Sequence, residues 1–96
     1  EGVPPGLTLP EVGRRMAAVE GVESVHDLHI WSLSSSHAAL SAHVVVRDLE
    51  DWPRILAALT ELLHKDFGIR HATLQPELFR PVLYAIGEPD NTRSAN

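Results

Sequence analysis

Cysteine is absent from all 96 residues, which excludes disulfides and thiolate zinc sites and accords with a reducing compartment. No run approaches the roughly 18 apolar residues that a membrane span requires. The opening Glu1-Gly2-Val3-Pro4-Pro5 lacks the basic start and apolar stretch of a signal peptide. The chain is therefore expected to be soluble and, beginning without methionine, to be a piece of something larger. Basic residues are also scarce. Eight Lys and Arg stand against thirteen Asp and Glu, for a formal charge of −5, which argues against the clustered basic face that nucleic acid demands. Glycine-rich phosphate loops, HExxH and the nucleophile elbow are missing too. Ser34-Ser35-Ser36 beside His37 reads as a polar turn rather than a nucleophile with its base. No enzyme is expected.

What the chain does have is histidine. There are six, two of them in the run His26-Asp27-Leu28-His29-Ile30-Trp31. Imidazole is the commonest metal ligand among side chains and titrates near neutrality, so its presence in a half-buried strand calls for an explanation. The acidic balance suits a cation partner, although a solvated acidic surface would show the same charge. Hydrophobic residues make up 44 % of the chain, enough for one small globular domain with a thin core.

Thr8 with Glu11 three residues on, and Pro10 in the first turn, announces a helix. Leu9, Val12, Met16 and Val19 give it an apolar stripe, and Gly21 ends it. Val22 to Leu33 and Ala38 to Val46 read as two strands of an antiparallel hairpin across the serines. Asp51 is the expected cap of a second helix with Pro53 in its first turn. Ile55, Leu56, Leu59, Leu62 and Leu63 form its buried face, with His64 and Lys65 in the last turn and Gly68 after it. Ile69 to Glu77 is a third strand. The fold class is α+β: a truncated ferredoxin-like α-β-β-α-β sandwich, with a three-stranded mixed sheet and two helices on one face. A right-handed crossover is expected to set the third strand beside the first, leaving the first central. The opposite sheet face stays open, and an exposed apolar face of that size usually finds a partner.

On the second strand Leu40, Ala42, Val44 and Val46 must face the helices, so His43 points to the open face. A two-residue turn at Ser34-Ser35 sets His26 opposite His43. A three-residue turn with a bulge near His26-Asp27 does the same, and lets Val25, Leu28 and Ile30 all face the core. On the third strand Ala72 and Leu74 read as core, leaving His71, Thr73, Gln75 and Glu77 on the open face. Glu77 then lies toward His26. His71 is about 20 Å from Glu77 at roughly 3.3 Å per residue, too far to share its ion. His26, His43 and Glu77 form the candidate site, and two imidazoles with a carboxylate suit Zn²⁺. The other histidines read otherwise: His29 as packing against a partner or bonding the backbone, His37 as a turn residue, His64 as a capping cation.

Three blocks carry a resemblance: Gly21-Val22-Glu23-Ser24-Val25-His26-Asp27-Leu28-His29-Ile30-Trp31-Ser32-Leu33, then Leu40-Ser41-Ala42-His43-Val44, then Phe67-Gly68-Ile69-Arg70-His71-Ala72-Thr73-Leu74-Gln75-Pro76-Glu77. In order and spacing, from about Thr8 to Glu77, they resemble the C-terminal cytoplasmic domain of cation diffusion facilitators. The resemblance implies a homodimeric transporter of Zn²⁺, often also of Cd²⁺, Co²⁺, Fe²⁺ or Mn²⁺, in exchange for protons. Its six-helix membrane domain would be continuous with this chain in the full-length protein, in a bacterial inner membrane. The resemblance also implies metal sensing, with ions at the subunit interface drawing the domains together. It assigns the ligands to His26, His43 and Glu77, and ranks His71 lower as a second site or interface residue. Asp51-Trp52-Pro53 stands where some members carry a bridging histidine, and the tail lacks the cysteine pair other members use. The expected organisation is a linker at 1–7, the metal-binding domain at 8–78 and an extended tail at 79–96. A small-molecule regulatory module and a purely structural dimerisation domain are the competing readings.

Overall fold

A computed structural model describes residues 6–81; most of the linker and of the tail expected from the sequence lies outside them. Thr8 Oγ1 accepts from the Glu11 amide at 3.3 Å and starts α1, Leu9–Ala17. The helix stops at Ala17 rather than running on to Gly21. Val19 nevertheless packs against the core, and Gly21, at φ +97°, makes the turn into β1. A Cβ at Gly21 would fall 2.7 Å from Arg54 Nη2 and 2.8 Å from Ile55 Cδ1. Gly21→Ala is therefore expected to cost about 1–3 kcal/mol from strain and crowding together, read as a lowered midpoint in chemical denaturation.

Strands β1 (Val22–Ser34) and β2 (His37–Val46) form an antiparallel hairpin. The two-residue link is Ser35-Ser36, one place later than expected, and a register shift between Ser32 and Ser34 absorbs the difference. A single 3₁₀ turn, Leu49–Asp51, leads into α2, Trp52–Phe67. Asp48 caps that turn, its Oδ1 accepting from the Glu50 amide at 2.9 Å. Asp51 occupies the N-cap of α2 but makes no capping bond, because Arg54 takes both its oxygens at 2.9 and 2.6 Å. Gly68 closes the helix in the left-handed region at φ 70°, where a residue without Cβ is unstrained.

The strand order is β1-β2-β3, with β3 (His71–Leu78) parallel to β2. This corrects the expectation that β1 would be central. The α2 crossover follows β2 directly and lays β3 alongside it. Strand β2 is also the strand best suited to the middle, since Ala39, Leu40, Ala42, Val44 and Val46 are all buried. Strand β1 carries three register shifts, a mark of edge strands. Val12 and Met16 of α1, and Ile55, Leu59 and Leu63 of α2, pack with Ile30, Leu40, Ala42, Val44, Val46 and Ile69 on one face of the sheet. An Arg15–Asp66 ion pair ties the two helices together on the surface. Ala72, expected in the core, is exposed at the start of the edge strand; Leu74 is partly buried against it as expected. Large apolar side chains exposed on β1 are Trp31 and Leu33.

Candidate metal centre

The alternation of β2 sends His43 away from the helices, and the ladder pairs it with His26. Between His26 and His29 the register slips by one residue, and Asp27 takes a left-handed backbone at φ 55°. The bulge lets Val25, Leu28 and Ile30 all reach the core while His26 stays on the open face. The two imidazoles meet edge to face, with centroids 5.1 Å apart.

Glu77 arrives from the far side of the sheet. Gln75 pairs with His43, and Glu77 sits two residues further along, opposite Val45. Because β3 is parallel to β2, its end lies beside the start of β1, and the Glu77 side chain reaches back across β2. Its Oε1 is 2.8 Å from His26 Nε2 and its Oε2 is 2.6 Å from His43 Nδ1. The structure thus joins His26, His43 and Glu77 although β3 lies on the other neighbour from the one expected.

The contacts differ in kind. His26 and Glu77 share an aligned hydrogen bond. His43 Nδ1 is shut off from solvent and, despite its closeness to Oε2, has no aligned hydrogen-bond partner among the described residues. A buried ring nitrogen without a partner is costly. A cation among the neighbouring oxygens would satisfy it, so the donor set of two imidazoles and a carboxylate fits a divalent metal.

Sequence reasoning left Asp27 out of the site. Its Oδ2 lies 3.4 Å from His26 Nδ1 and 3.5 Å from His43 Nδ1, and Asp27, His26 and His43 form a cluster with one ligand atom from each within 4.8 Å of the others. The signal was present: in an unbroken strand with His26 outward, Asp27 would point into the core, which a carboxylate does not tolerate.

His71 does not join this cluster. It opens β3 opposite Ala39, its ring 6.2 Å from that of His37. His37 Nδ1 lies 3.1 Å from the hydroxyls of both Ser34 and Ser36, bonds that hold the turn. His29 is exposed opposite Ser41, and His64 is exposed in the last turn of α2. A hollow of about 840 Å³ lies at the serine turn against Leu7 and Phe67, away from the candidate centre.

Electrostatics without metal favour an ion pair. The hydrogen bond to Glu77 is the main cause raising the His26 pKa above 6.5, helped by the charges of Glu77 and Asp27 and opposed by desolvation. The same bond lowers Glu77 below 4.5. The His26 contribution to stability is fully present below 6.5 and is lost as pH rises through its raised folded value. The Glu77 contribution is fully present above 4.5 and is lost as pH falls through its lowered folded value. Both are therefore complete only between 4.5 and 6.5. Glu77→Gln is expected to bring the His26 pKa of the metal-free chain back down toward 6.5, followed by its imidazole NMR shifts against pH.

Comparison with known proteins decides what this arrangement belongs to. Residues 4–79 match the family described as cation efflux protein, cytoplasmic domain. The chain belongs to that family. Among cation efflux relatives, the metal cation efflux system protein CzcD of Cupriavidus metallidurans is 45 % identical over 80 residues, covering 81 % of this chain and 25 % of the relative. A probable zinc transporter protein of Dictyostelium discoideum is 42 % identical over 77 residues, covering 80 % of this chain and 14 % of the relative. The cadmium, cobalt and zinc/H(+)-K(+) antiporter of Bacillus subtilis is 41 % identical over 81 residues, covering 80 % of the chain and 25 % of the relative. The chain thus spans a quarter or less of the length of these three relatives. Its fold superposes on the metal-bound C-terminal domain of the CzcD transporter with a TM-score of 0.69 at 41 % identity, covering 75 % of this chain and all of that one. The cadmium form of a singly substituted variant of the MamM C-terminal domain, at a TM-score of 0.65 and 15 % identity over 74 % of this chain and 91 % of that one, shares the fold.

Proposed function

We propose that this chain is the metal-sensing, dimer-forming cytoplasmic domain of a divalent-cation efflux transporter, and that Zn²⁺ held by His26, His43 and Glu77 draws two copies together and favours cation/proton exchange in an attached membrane domain. The observation that carries this reading is the convergence of His26 from β1 and His43 from β2 on the two carboxylate oxygens of Glu77 from β3. The metal-bound CzcD domain, alike in fold and sequence, supports it, as does the bacterial source of that relative for an inner-membrane location. Two imidazoles with a carboxylate suit Zn²⁺, and a site of this kind also accepts other divalent ions such as Cd²⁺, Co²⁺ and Fe²⁺. His71 stands apart from this centre and is at most a second site or an interface residue. The exposed Trp31 and Leu33 give the sheet face an apolar margin for a second copy.

Metal can shift the dimer only by its differential affinity for the two arrangements. Imidazoles must be neutral to bind it, and the Glu77 bond holds the proton on His26, so affinity begins to fall at a pH above 6.5 as the medium is acidified. Small-angle scattering of the chain during a Zn²⁺ titration tests the switch. Compaction of a dimer at saturation is expected; scattering unchanged while Zn²⁺ binds contradicts the switch.

A further inference from the structure

Strand β2 joins two ends of the domain that differ in charge. Asp48, Glu50 and Asp51 follow its last residue, and Glu77 pairs beside that end. At its start, about 30 Å away at roughly 3.3 Å per residue, a cup of about 350 Å³ is lined by Ser36, His37, His64, Gly68 and Arg70. Among the described residues no carboxylate lines it. The acids nearest in sequence are engaged elsewhere, Glu61 with Lys65 at 2.9 Å and Asp66 with Arg15. Arg47 and Arg54 are paired with carboxylates as well, whereas Arg70 has no such partner among the described residues. A guanidinium and two imidazoles around one acid-free cup are an exception in a chain of net charge −5.

The hydrogen bonds around the cup suit an anion better than a metal. Ser34 Oγ accepts from the Ser36 amide at 3.4 Å, and it and Ser36 Oγ each lie 3.1 Å from His37 Nδ1. Hydroxyls that donate to Nδ1 leave the ring proton on Nε2, which then donates and has no lone pair for a metal. A bare helix C-terminus repels anions. Here the amides of Gly68 and Ile69 occupy the carbonyls of His64 and Leu63 at 3.0 and 2.9 Å. The planar fork of an arginine matches the oxygens of a phosphate. The chain also enters the domain at this end: Gly6 and Leu7 line the adjoining hollow, which shares Ser36, His37 and Gly68 with the cup.

We infer that this cup binds a phosphate group, held by the Arg70 guanidinium and the imidazoles of His37 and His64. Lipid headgroups and free phosphate offer the same chemistry. The headgroup source rests on the attached membrane domain proposed above, which would bring the bilayer surface to the end where the chain enters; the cup itself does not depend on that reading or on metal.

The test titrates the full chain with sodium phosphate at fixed pH and ionic strength, followed by its imidazole NMR signals. In parallel the chain is floated with vesicles of phosphatidylcholine, alone or mixed with phosphatidylglycerol. Arg70→Gln is compared with Arg14→Gln, which removes the same charge from α1, outside the cup. Phosphate is expected to shift the His37 and His64 signals saturably. Arg70→Gln should weaken it about tenfold or more, as the loss of a charged hydrogen bond does, and Arg14→Gln less than about twofold. Flotation with phosphatidylglycerol that Arg70→Gln alone abolishes identifies headgroups as the source; phosphate binding without flotation identifies the free ion. Equal weakening in both variants overturns the inference, because net charge then explains it. A silent titration without flotation also overturns it, and Zn²⁺ binding by the same sample would leave the metal reading standing.

Discussion

Replacing His26 and His43 together by alanine is expected to lower Zn²⁺ affinity by well over about 100-fold. Altering only an outer partner of a metal ligand typically costs 10–100-fold, and this pair supplies both nitrogen donors of the centre. The fold should survive. Both imidazoles sit on the open sheet face, and neither belongs to the buried core. Removing them gives up the exposed ion pair with Glu77, a small term at the surface, but also a buried His43 Nδ1 that lacks an aligned hydrogen bond, so the metal-free variant should melt close to the wild type. Calorimetry beside a thermal melt separates the two effects. Affinity left at the wild-type level would mean that the histidines serve structure only, as in a plain dimerisation domain.

Leu59→Ala should behave in the opposite way. Leu59 lies at the centre of the α2 face and is fully buried against the sheet. A leucine truncated in such a place costs about 2–5 kcal/mol, a large share of the roughly 5–15 kcal/mol that holds a domain folded. A fall in melting temperature of about 8 °C or more follows, at about 4–8 °C per kcal/mol for a domain of this size. The metal centre is on the other side of the sheet, so the folded variant should bind Zn²⁺ as the wild type does. Metal at 100 times its dissociation constant should then restore about 2.7 kcal/mol. Differential scanning calorimetry with and without Zn²⁺ measures both.

Much of this was readable from the sequence for identifiable reasons. Thr8 and Gly68 mark helix ends because few residues satisfy those backbone positions. The pairing of His26 with His43 was legible because alternating apolar residues on β2 permit one orientation only, and either turn length led to the same register. The neighbour of β3 was misread, since crossover handedness does not choose between two free sheet edges. The density of apolar residues from Leu40 to Val46 would have chosen, because the most buried strand takes the middle. Glu77 was placed near His26 regardless: a strand parallel to β2 ends at the same end of the sheet as one antiparallel to β1. Asp27 stayed hidden because a single left-handed residue reverses the alternation, and only the impossibility of burying its carboxylate betrays it. Asp51 lost its capping role to Arg54, a competition between side chains that residue spacing alone does not resolve.

The most direct test is a crystal of the chain grown with Zn²⁺, with anomalous data collected on both sides of the zinc absorption edge. A peak within bonding distance of His26, His43 and Glu77 is the predicted result, and no peak there, or zinc only at His37, His64 or His71, would contradict the account.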